Sequence, residues 1–543
     1  MGASPAPDVQ FTDITQAAGI DFTHASSATS NKYLVETMGG GVALLDYDND
    51  GRLDVFFTNG ARIDDPMPQG TRPDKSDRIF WNRLYRQNAD GMFADVTEKA
   101  GLTGKSQNYY GMGVAVGDYD NDGAEDIYVT NYGGNTLYSN NRDGTFTDVT
   151  TRAGVGAGQW SASAGFLDYD NDGRLDLFVT RYVDWSFRTN RYCGDTKPGY
   201  RAYCHPDIYD GLPNILCHNN GDGTFTDVSS KAGVANPGGK GLGVSFADYD
   251  ADGLVDVYVA NDSVQSFLYR NNGKGGFTEV GLPAGVGLNE DGKTFAGMGV
   301  DFADYDNDGH PDVFVTDLSN ERYRLFRHNG DATFRDVTNA SGVGGVTLPF
   351  SGWSTRFIDY DNDGWKDIFV AQGHVMDTIE KTSPHLRYRQ PPLLLRNESA
   401  RFVRVVPGAV FQTEWAGRGA AFGDLDNDGD IDVVMSNVGE RAVVLRNDGG
   451  NRQNWVGLRT VGTRSNRDGI GCRVKVVSES GLSQYFSVST AVGYLSASDK
   501  RLLVGLDRDS TAVLIEIRWP SGAIQKFEHV KAGQIIVATE PHQ

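Results

Sequence analysis

The sequence contains few cysteines and no long hydrophobic run. Four cysteines in 543 residues are too few for the disulfide framework that stabilises many small secreted domains. No segment approaches the ~20 consecutive apolar residues of a membrane-spanning helix. A net charge of −22 offers no counter-charge to nucleic acid or to an anionic membrane surface. We therefore expect a globular chain with no membrane span and no nucleic-acid partner.

Familiar catalytic signatures are also missing. We find no HExxH pair, Walker loop, dinucleotide fingerprint or nucleophile with an adjacent base. Residues in predicted loops could still supply an acid or a base, although scattered loop histidines are more often surface residues. These weak catalytic candidates are His24, Glu36, His205, His374 and His385.

The first ten residues, MGASPAPDVQ, lack the charged and apolar regions of a signal peptide. Two interpretations follow: a cytosolic protein, or a mature secreted or periplasmic protein whose signal peptide was removed. Free calcium is scarce in the cytosol, so the second interpretation is preferable if calcium fills the loops described below.

Two of the cysteines lie close together in the segment YCGDTKPGYRAYC. Cys193 and Cys204 could close this segment with a disulfide, and we predict that they do. The alternative is a pair of free thiols.

Glycine and aspartate, by contrast, are arranged in a repeat. The pattern DxDxDGxxD occurs seven times, each time between two apolar runs, and two further apolar runs complete each unit. Units of four short strands and roughly 50 residues suit the blades of a propeller. We predict an all-β fold with a seven-bladed, integrin-α-like β-propeller.

The ends of the repeat region predict how the ring closes. The segment FTDIT at residues 11–15 resembles the fourth strand of the other units but precedes the first acidic loop. It should complete the last blade, unless it is a frayed terminal strand. We place the propeller at residues 8–450 and a small β module, which has no acidic loop of its own, at residues 453–540.

Each DxDxDGxxD loop has the composition of a calcium site. Carboxylates at the first, third, fifth and ninth places and a backbone carbonyl at the seventh give a cage of hard oxygen ligands, and glycine at the sixth allows the turn. The predicted ligands are Asp46, Asp48, Asp50, Arg52, Asp54; Asp118, Asp120, Asp122, Ala124, Asp126; Asp168, Asp170, Asp172, Arg174, Asp176; Asp248, Asp250, Asp252, Leu254, Asp256; Asp304, Asp306, Asp308, His310, Asp312; Asp359, Asp361, Asp363, Trp365, Asp367; and Asp424, Asp426, Asp428, Asp430, Asp432.

Two other interpretations of these loops compete. Acidic turns could simply be solvated, but four crowded carboxylates without a cation repel one another and a turn needs only one Asp or Asn. EF-hands would need flanking helices and a glutamate at the twelfth place. We predict about seven calcium ions with a structural role, because closed, repeated sites differ from an open catalytic metal site. Ala251 replaces the fourth-place Asn of loop 4, which is not a predicted ligand position.

The face opposite the acidic loops is the predicted binding face. Long insertions follow Asn59, Arg181 and Gln372, and variable loops on a rigid scaffold are the usual place for recognition. The last residue of the second strand in each blade is polar, and aromatic residues precede the first strand of several blades. This pattern predicts a polar and aromatic mouth of the central channel. The ligand-binding candidates are Asn59, Tyr109, Tyr110, Asn131, Trp160, Arg181, Asn261, Asp317, Trp353, Gln372, Trp415 and Asn437. These polar residues could instead only satisfy backbone groups at strand ends.

The acidic loops and the intervening NNGDGTFTDVT type of segment resemble the FG-GAP/VCBS repeats of integrin α-subunits. The tail, with SNRDGIGCRVKV and RWPSGAIQKF, resembles the ASPIC/UnbV module. Together they resemble the cartilage acidic protein 1 family over nearly the whole chain. The resemblance implies a calcium-loaded propeller that is often secreted, without an agreed activity.

Two functional classes remain open. One is a secreted, calcium-stabilised protein that binds a glycan, a protein or a small molecule on the face opposite the calcium loops. The other is an enzyme of specialised metabolism or sugar chemistry, of the lyase, isomerase or cyclase type, with its pocket at the channel mouth. A deep pocket with buried ionisable groups favours the enzyme, and an open surface favours the binder.

Overall fold

The computed structural model of the protein describes residues 9–105 and 107–542. Residue 8, where the predicted propeller begins, lies outside the described residues. The chain folds into seven four-stranded antiparallel units, numbered here as blades 1 to 7 in chain order. The first strand of each blade contacts the first strands of the blades before and after it, and blade 7 contacts blade 1. The predicted all-β fold, a seven-bladed propeller followed by a small β module, is confirmed.

The blade strands are short. Blades 1 to 4 consist of Val42–Leu45, Asp54–Phe57, Arg83–Gln87 and Phe93–Asp95; Tyr110–Gly117, Asp126–Tyr132, Thr136–Asn140 and Phe146–Asp148; Ser161–Leu167, Asp176–Arg181, Ile215–Asn219 and Phe225–Asp227; and Gly241–Ala247, Asp256–Asn261, Phe267–Asn271 and Phe277–Glu279. Blades 5 to 7 consist of Val300–Ala303, Asp312–Val315, Arg324–His328 and Phe334–Asp336; Gly352–Ile358, Asp367–Gln372, Leu393–Asn397 and Phe402–Val405; and Gly417–Gly423, Asp432–Asn437 and Val443–Asp448, with Gln10–Asp13.

The N-terminal strand Gln10–Asp13 is the outer strand of blade 7. It runs antiparallel to Val443–Asp448, and Phe11 lies opposite Asn447. The two ends of the repeat region are therefore hydrogen-bonded into one sheet.

Stacking of neighbouring blades explains the apolar runs. The second strand of blade 1, Asp54–Phe57, is buried at every position. An apolar residue on either face of such a strand contacts a different neighbouring blade, so alternation with polar residues is unnecessary. The outermost strands, such as Phe146–Asp148, expose polar side chains.

The C-terminal module has two sheets. One contains Leu502–Asp507, Asn454–Val461 and Gln534–Thr539, and the other contains Ser483–Ser487, Arg473–Ser478, Thr511–Arg518 and Ile524–Lys531. Its core contains Cys472, Val474, Ile515 and Trp519. This core belongs to the module alone, as expected for a separate unit.

Helices are few and short. They are the α-helices Thr150–Ala153, Gly281–Ala284, Val343–Thr347 and Ile379–Thr382, and the 3-10 helices Leu34–Thr37, Arg78–Phe80, Pro206–Ile208, Ala409–Gln412 and Gly450–Arg452. Two short strands, Cys193–Gly194 and Arg201–Ala202, form a separate hairpin. In the described ranges, no helix has the length and hydrophobicity required to cross a membrane.

A hairpin of the C-terminal module fills the central channel of the propeller. This channel hairpin, residues 489–499, contains the strands Ala491–Val492 and Ser496–Ala497. Its Leu495 accepts a hydrogen bond from the Val114 amide (3.0 Å), and Gly493 exchanges two with Val300 (2.7 and 3.2 Å). The innermost strands of all seven blades contact it, through Ala43, Val114, Ser163, Gly243, Val300, Ser354 and Phe422.

Small residues line the channel and allow this close approach. A Cβ atom at Gly41 would lie 2.3 Å from the Leu495 oxygen, and one at Gly243 would lie 2.7 Å from the Gly493 oxygen. Blades 3 and 6 have serine here, and their hydroxyls accept hydrogen bonds from the hairpin. The complete set is Gly41, Gly113, Ser163, Gly243, Gly299, Ser354 and Gly419. Larger side chains would exclude the hairpin.

Candidate functional site

Each acidic loop is a tight turn that points carboxylates inward. In loop 1, the Asp46 carboxylate accepts hydrogen bonds from the amides of Asp50 (2.9 Å) and Gly51 (3.0 Å). Asn49 and Gly51 have φ of 56° and 84°, the left-handed region that asparagine and glycine tolerate best. The sequence DxDNDG therefore specifies the turn.

The ninth-place aspartate fixes the loop to the blade. Asp54 accepts hydrogen bonds from the amides of Tyr47 (3.2 Å) and Gln87 (2.8 Å). Burial, reinforced by the neighbouring carboxylates, raises the pKa of Asp54 to about 8, and burial likewise raises that of Asp256 to about 8. The ionised form is therefore unfavourable unless a cation is bound.

Buried carboxylate oxygens without a hydrogen-bond partner show that these loops fit a hard divalent cation. Such atoms are Asp48 Oδ1, Asp248 Oδ1, Asp250 Oδ2, Asp306 Oδ1, Asp361 Oδ1 and Asp430 Oδ1. In loop 1, oxygens of Asp46, Asp48 and Asp50 all lie within 4.8 Å of one another. An ion bound here would add positive charge beyond that of the arginines near these carboxylates, with oxygen ligands of the type calcium prefers.

Arginines from the third strands extend the sites, and sequence reasoning missed them. Arg86 pairs with Asp48 and Asp50, and Arg396 pairs with Asp361 (3.0 Å) and Asp363 (3.1 Å). A recurrent signal was available, because an arginine directly precedes the last Asn, Gln or His of this strand in LYRQ, LYRN, LFRH, LLRN and VLRN. These arginines neutralise part of the loop charge at its outer side.

The fourth-place asparagines connect each acidic loop to the next. The Asn49 amide donates to the carbonyl of Gly123 in loop 2 (2.9 Å), and Asn427 of loop 7 donates to Gly51 of loop 1 (3.2 Å). The other connections are Asn121 to Gly173, Asn171 to Gly253, Asn307 to Gly364 and Asn362 to Gly429. Ala251 has no side-chain amide, so this belt is interrupted between loops 4 and 5.

The predicted polar ring at the channel mouth is buried beneath loops. Asn59 donates to the carbonyls of Ile79 (2.9 Å) and Trp81 (3.1 Å), and Asn131, Asn261 and Asn437 likewise donate to nearby loop carbonyls. Asp317 accepts from the amides of Ala296 and Leu318, and Gln372 donates to the Tyr323 hydroxyl. Only Arg181 is partly exposed. In this ring the polar side chains form hydrogen bonds to groups of the covering loops, which corresponds to the second interpretation, satisfaction of backbone groups.

The expected aromatic mouth is likewise a buried layer. Tyr110, Trp160 and Trp353 are fully buried, Trp415 is buried, and Tyr109 is half-buried. The channel mouth is covered because Tyr494 of the channel hairpin reaches this layer, with its ring 4.9 Å from that of Trp353 and its hydroxyl donating to Met38 O (2.7 Å).

The candidate acid–base residues differ in their burial. His205 and His385 are exposed, whereas His24, Glu36 and His374 are buried. Burial, with Lys75 and Arg418 nearby, lowers the pKa of His24 to about 3, and burial lowers that of His374 to about 4. These imidazoles are neutral near pH 7.

Glu36 belongs to a buried hydrogen-bond network. It accepts from the Thr29 amide (3.1 Å), the Tyr33 amide (3.2 Å) and the Tyr203 hydroxyl (3.2 Å). Burial raises its pKa to about 7. These bonds join the segment before blade 1 to the insertion after Arg181.

Arg418 is a buried residue that the sequence analysis missed. It is 0% exposed and donates to the carbonyls of Thr37 (2.8 Å), Gly417 (2.8 Å) and His374 (3.1 Å). Its guanidinium stacks on Trp353 at 4.1 Å. The signal was an arginine within the apolar strand GRGAAFG. Arg418 connects the short helix Leu34–Thr37 and the segment after Gln372 to the first strand of blade 7.

The insertion after Arg181 carries the exposed aromatic residues of this face. Cys193 and Cys204 form a disulfide in it. The Tyr192 side chain is 51% exposed, with Arg201 4.9 Å from its ring centre. Tyr200 lies between Lys197 (4.6 Å) and Lys381 (5.6 Å), which comes from the insertion after Gln372. We call Tyr192, Lys197, Tyr200, Arg201 and Lys381 the insertion patch.

Comparisons with known proteins identify the repeat and the module. The model of the FG-GAP-like repeat matches residues 46–129, 118–179, 208–259, 248–315 and 304–370, together more than half of the chain. The chain belongs to the FG-GAP-like repeat family. The model described as ASPIC and UnbV matches residues 462–543. The resemblance to the cartilage acidic protein 1 family, with repeats followed by this module, is confirmed.

The relatives of this FG-GAP-like repeat protein include curated animal proteins. Cartilage acidic protein 1 of Homo sapiens is 25% identical over 501 residues, covering 89% of this chain and 69% of the relative. That of Mus musculus is 24% identical over 538 residues, covering 96% and 75%. A solved Agrocybe aegerita lectin that recognises non-reducing terminal N-acetylglucosamine aligns with a TM-score of 0.40 and 17% identity, covering 69% of this chain and 82% of the lectin.

Proposed function

We propose that the protein is a secreted or periplasmic, calcium-stabilised propeller that binds a glycan on the face opposite the acidic loops. The observation that carries the proposal is the insertion patch, a set of exposed or half-buried tyrosines and cations on and beside the disulfide-closed loop. The channel is filled by a hairpin and the channel mouth is covered. Binding is therefore assigned to the outer surface of this face.

Calcium stabilisation is supported by the acidic loops. Buried carboxylates with unpartnered oxygens suit a hard cation, and the predicted ligands are oxygens, although His218 also lies beside Asp170 and Asp176 in loop 3. All seven loops carry the four aspartates. The ions would act by reducing the repulsion among these groups and by holding the turn. Neither of these structural roles needs an open coordination position.

The compartment is inferred from the disulfide and the calcium sites. Disulfides persist in oxidising compartments outside the cytosol, and Cys193 and Cys204 are bonded. Sites that need calcium are filled where free calcium is high. Both conditions hold outside the cell and in the periplasm.

The insertion patch suits a glycan with acidic groups. Tyrosine offers a rigid apolar ring beside a polar tip, which can pack on a sugar face. Lys197, Arg201 and Lys381 lie beside these rings, and none of them has an ion pair among the residues that the structure describes. On a chain with net charge −22, a local set of unpaired cations favours a carboxylated or sulfated ligand.

A glycan array with acidic and neutral oligosaccharides tests this function. The calcium-loaded protein should bind a subset of acidic glycans, and the double variant Tyr192→Ala/Tyr200→Ala should lose at least about ten-fold in affinity with an unchanged melting temperature. Ile524→Ala, at an exposed position of the C-terminal module, is the matched control and should bind like the wild type. Unchanged binding by the double variant, or turnover of a small molecule without glycan binding, would overturn the proposal.

A further inference from the structure

We propose that acidic loop 4 is not a calcium site equal to the other six, because Arg473 of the C-terminal module occupies the position beside its first aspartate. The protein would then bind six calcium ions tightly and a seventh only when Arg473 withdraws. This inference rests on the calcium role proposed above. It makes loop 4 the point at which calcium and the C-terminal module compete.

The ion pair between the module and loop 4 is direct. Arg473 Nη1 lies 2.9 Å from Asp248 Oδ2, and Asp248 is only 7% exposed. Among the described residues, no other first-place aspartate has its carboxylate in an ion pair. Arg501 also reaches a first-place residue, but it donates to the backbone carbonyl of Asp424 (3.0 Å) and pairs with Asp499 of its own module.

Asp248 also differs in its bonds within the loop. In the six other loops, the first aspartate accepts a hydrogen bond from the amide of the fifth residue, at distances such as 2.9 Å in loop 1 and 3.0 Å in loop 7. In loop 4 the Asp252 amide donates to Asp250 instead (3.3 Å). Asp248 Oδ1 is left buried without a partner. The carboxylate of Asp248 is therefore held by Arg473 and by one amide of its own turn, that of Gly253 (3.1 Å), instead of by two amides of the turn.

Two kinds of side-chain hydrogen bond connect each of the other acidic loops to the next blade, and among the described residues both are missing between loop 4 and blade 5. Ala251 cannot donate to Gly309 as the fourth-place asparagines of the other loops do to the following loop. In a second set, side chains at the end of the third strand donate to the preceding acidic loop, as Asn140 does to Tyr47 O (2.8 Å). His328 occupies this position in blade 5, and its buried Nε2 has no partner. Loop 4 therefore has an ion pair with the module but lacks these two hydrogen bonds to the next blade.

A cavity beside the ion pair gives the guanidinium room to move. It has a volume of about 120 Å³ and lies between the propeller and the module. Asp248, Arg473, Asp301, Arg356 and Asp499 are among its lining residues. A calcium ion in loop 4 needs Asp248 as a ligand, and Arg473 adds a second guanidinium, on the first-place carboxylate, to a loop whose Asp250 already pairs with Arg270. Arg473 can withdraw into this space when calcium binds.

Counting bound calcium tests the inference. Isothermal titration calorimetry of chelated, desalted full-length protein with CaCl₂, together with elemental analysis after dialysis at a fixed low calcium concentration, should give six tight sites for the wild type. Arg473→Gln should give seven, with affinity at the seventh site raised about ten-fold or more. Arg518→Gln is the matched control, since its exposed guanidinium pairs with Glu516 of the module, and it should retain six.

Two further variants keep the test decisive if Arg473→Gln folds poorly. Asp248→Asn should leave the tight count at six, whereas Asp46→Asn in loop 1 should reduce it to five. Seven equal sites in the wild type, or loss of a tight site in Asp248→Asn, would overturn the inference while leaving calcium stabilisation intact. Absence of calcium binding at every loop would instead overturn the proposed function.

Discussion

On the acidic-loop face, seven near-identical turns lie against the C-terminal module, whereas on the opposite face three insertions differ in length and sequence. Residues of the acidic-loop face form hydrogen bonds with one another, as Asn49 does with Gly123 and Asp54 with Gln87. The insertion patch has the exposed ring of Tyr192, the half-buried ring of Tyr200 and cations without carboxylate ion pairs among the described residues. Repeated residues therefore build the ring, and recognition is expected where the repeat is interrupted.

The channel hairpin adds a third component that belongs to neither face. It originates in the module on the acidic-loop side, and its Tyr494 reaches the buried aromatic layer of the opposite side. The two faces are thus connected through the core of the ring. Variants that affect one face and not the other can separate their roles.

Calcium removal should have the largest effect and should act through the acidic-loop face alone. Several sites each contribute stabilisation by binding only the folded state, so chelation should lower the melting temperature by on the order of 10 °C or more. Differential scanning calorimetry with and without chelator, with magnesium as control ion, measures this. An unchanged melting temperature with metal-free protein verified by elemental analysis would contradict a structural role.

The channel hairpin should be the next most sensitive element. Tyr494→Ala removes a fully buried ring and should cost about 3–5 kcal/mol of unfolding free energy. Tyr494→Phe keeps the ring, loses only the hydrogen bond to Met38, and should cost about 1 kcal/mol. Urea denaturation measures both. If Tyr494→Ala were as stable as the wild type, the channel would not need its hairpin.

Without calcium, the acidic-loop face should make stability fall as pH rises. Burial raises the pKa of Asp54 and Asp256 from 3.8 to about 8, so the folded state holds protons that the unfolded state releases between about pH 4 and 8. The unfolded state binds fewer protons in this window, and stability decreases with pH. Calcium keeps the carboxylates ionised and should abolish the decrease. Thermal melts of chelated and loaded protein between pH 5 and 8 test this, and parallel curves would contradict it.

On the insertion face, the disulfide should matter locally. Cys193→Ser/Cys204→Ser should change the melting temperature by less than about 2 °C, because the loop lies outside the blades. Limited proteolysis should nevertheless cut the insertion sooner, and glycan affinity should fall. Cys217→Ser, at a buried free cysteine of blade 3, is the control for cysteine removal. A large drop in melting temperature would show that the insertion supports the ring.

The smallest effect is expected from repairing the belt of asparagines. Ala251 has φ of 62°, which asparagine tolerates better than alanine. Ala251→Asn should gain about 0.5–1 kcal/mol by donating to Gly309, and Asn427→Ala should lose a similar amount. Urea denaturation measures both variants. No change in either variant, or a loss of stability in Ala251→Asn, would show that the belt does not stabilise the fold.

The repeat was readable from the sequence because each blade needs the same turn, and the DxDxDGxxD spacing alone predicted seven blades and the side on which the loops lie. The position of the channel hairpin could not be read from the sequence, because AVGYLSASD resembles any short hairpin. Its position depends on contacts with residues hundreds of positions away. The glycine or serine ring from Gly41 to Gly419 was the available signal. The burial of Asn59 and Trp353 likewise results from loops that cover them, and no local sequence pattern predicts this.

Hydrogen–deuterium exchange with and without calcium compares the two faces in one measurement. Chelation should accelerate exchange of the loop amides that donate to first-place aspartates, such as those of Asp50 and Gly51, while residues 182–214 exchange as before. Adding the bound glycan should protect residues 182–214 and leave the loops unchanged. Equal protection of the loop amides in loaded and chelated protein would contradict the claim that calcium in the repeated loops stabilises the ring.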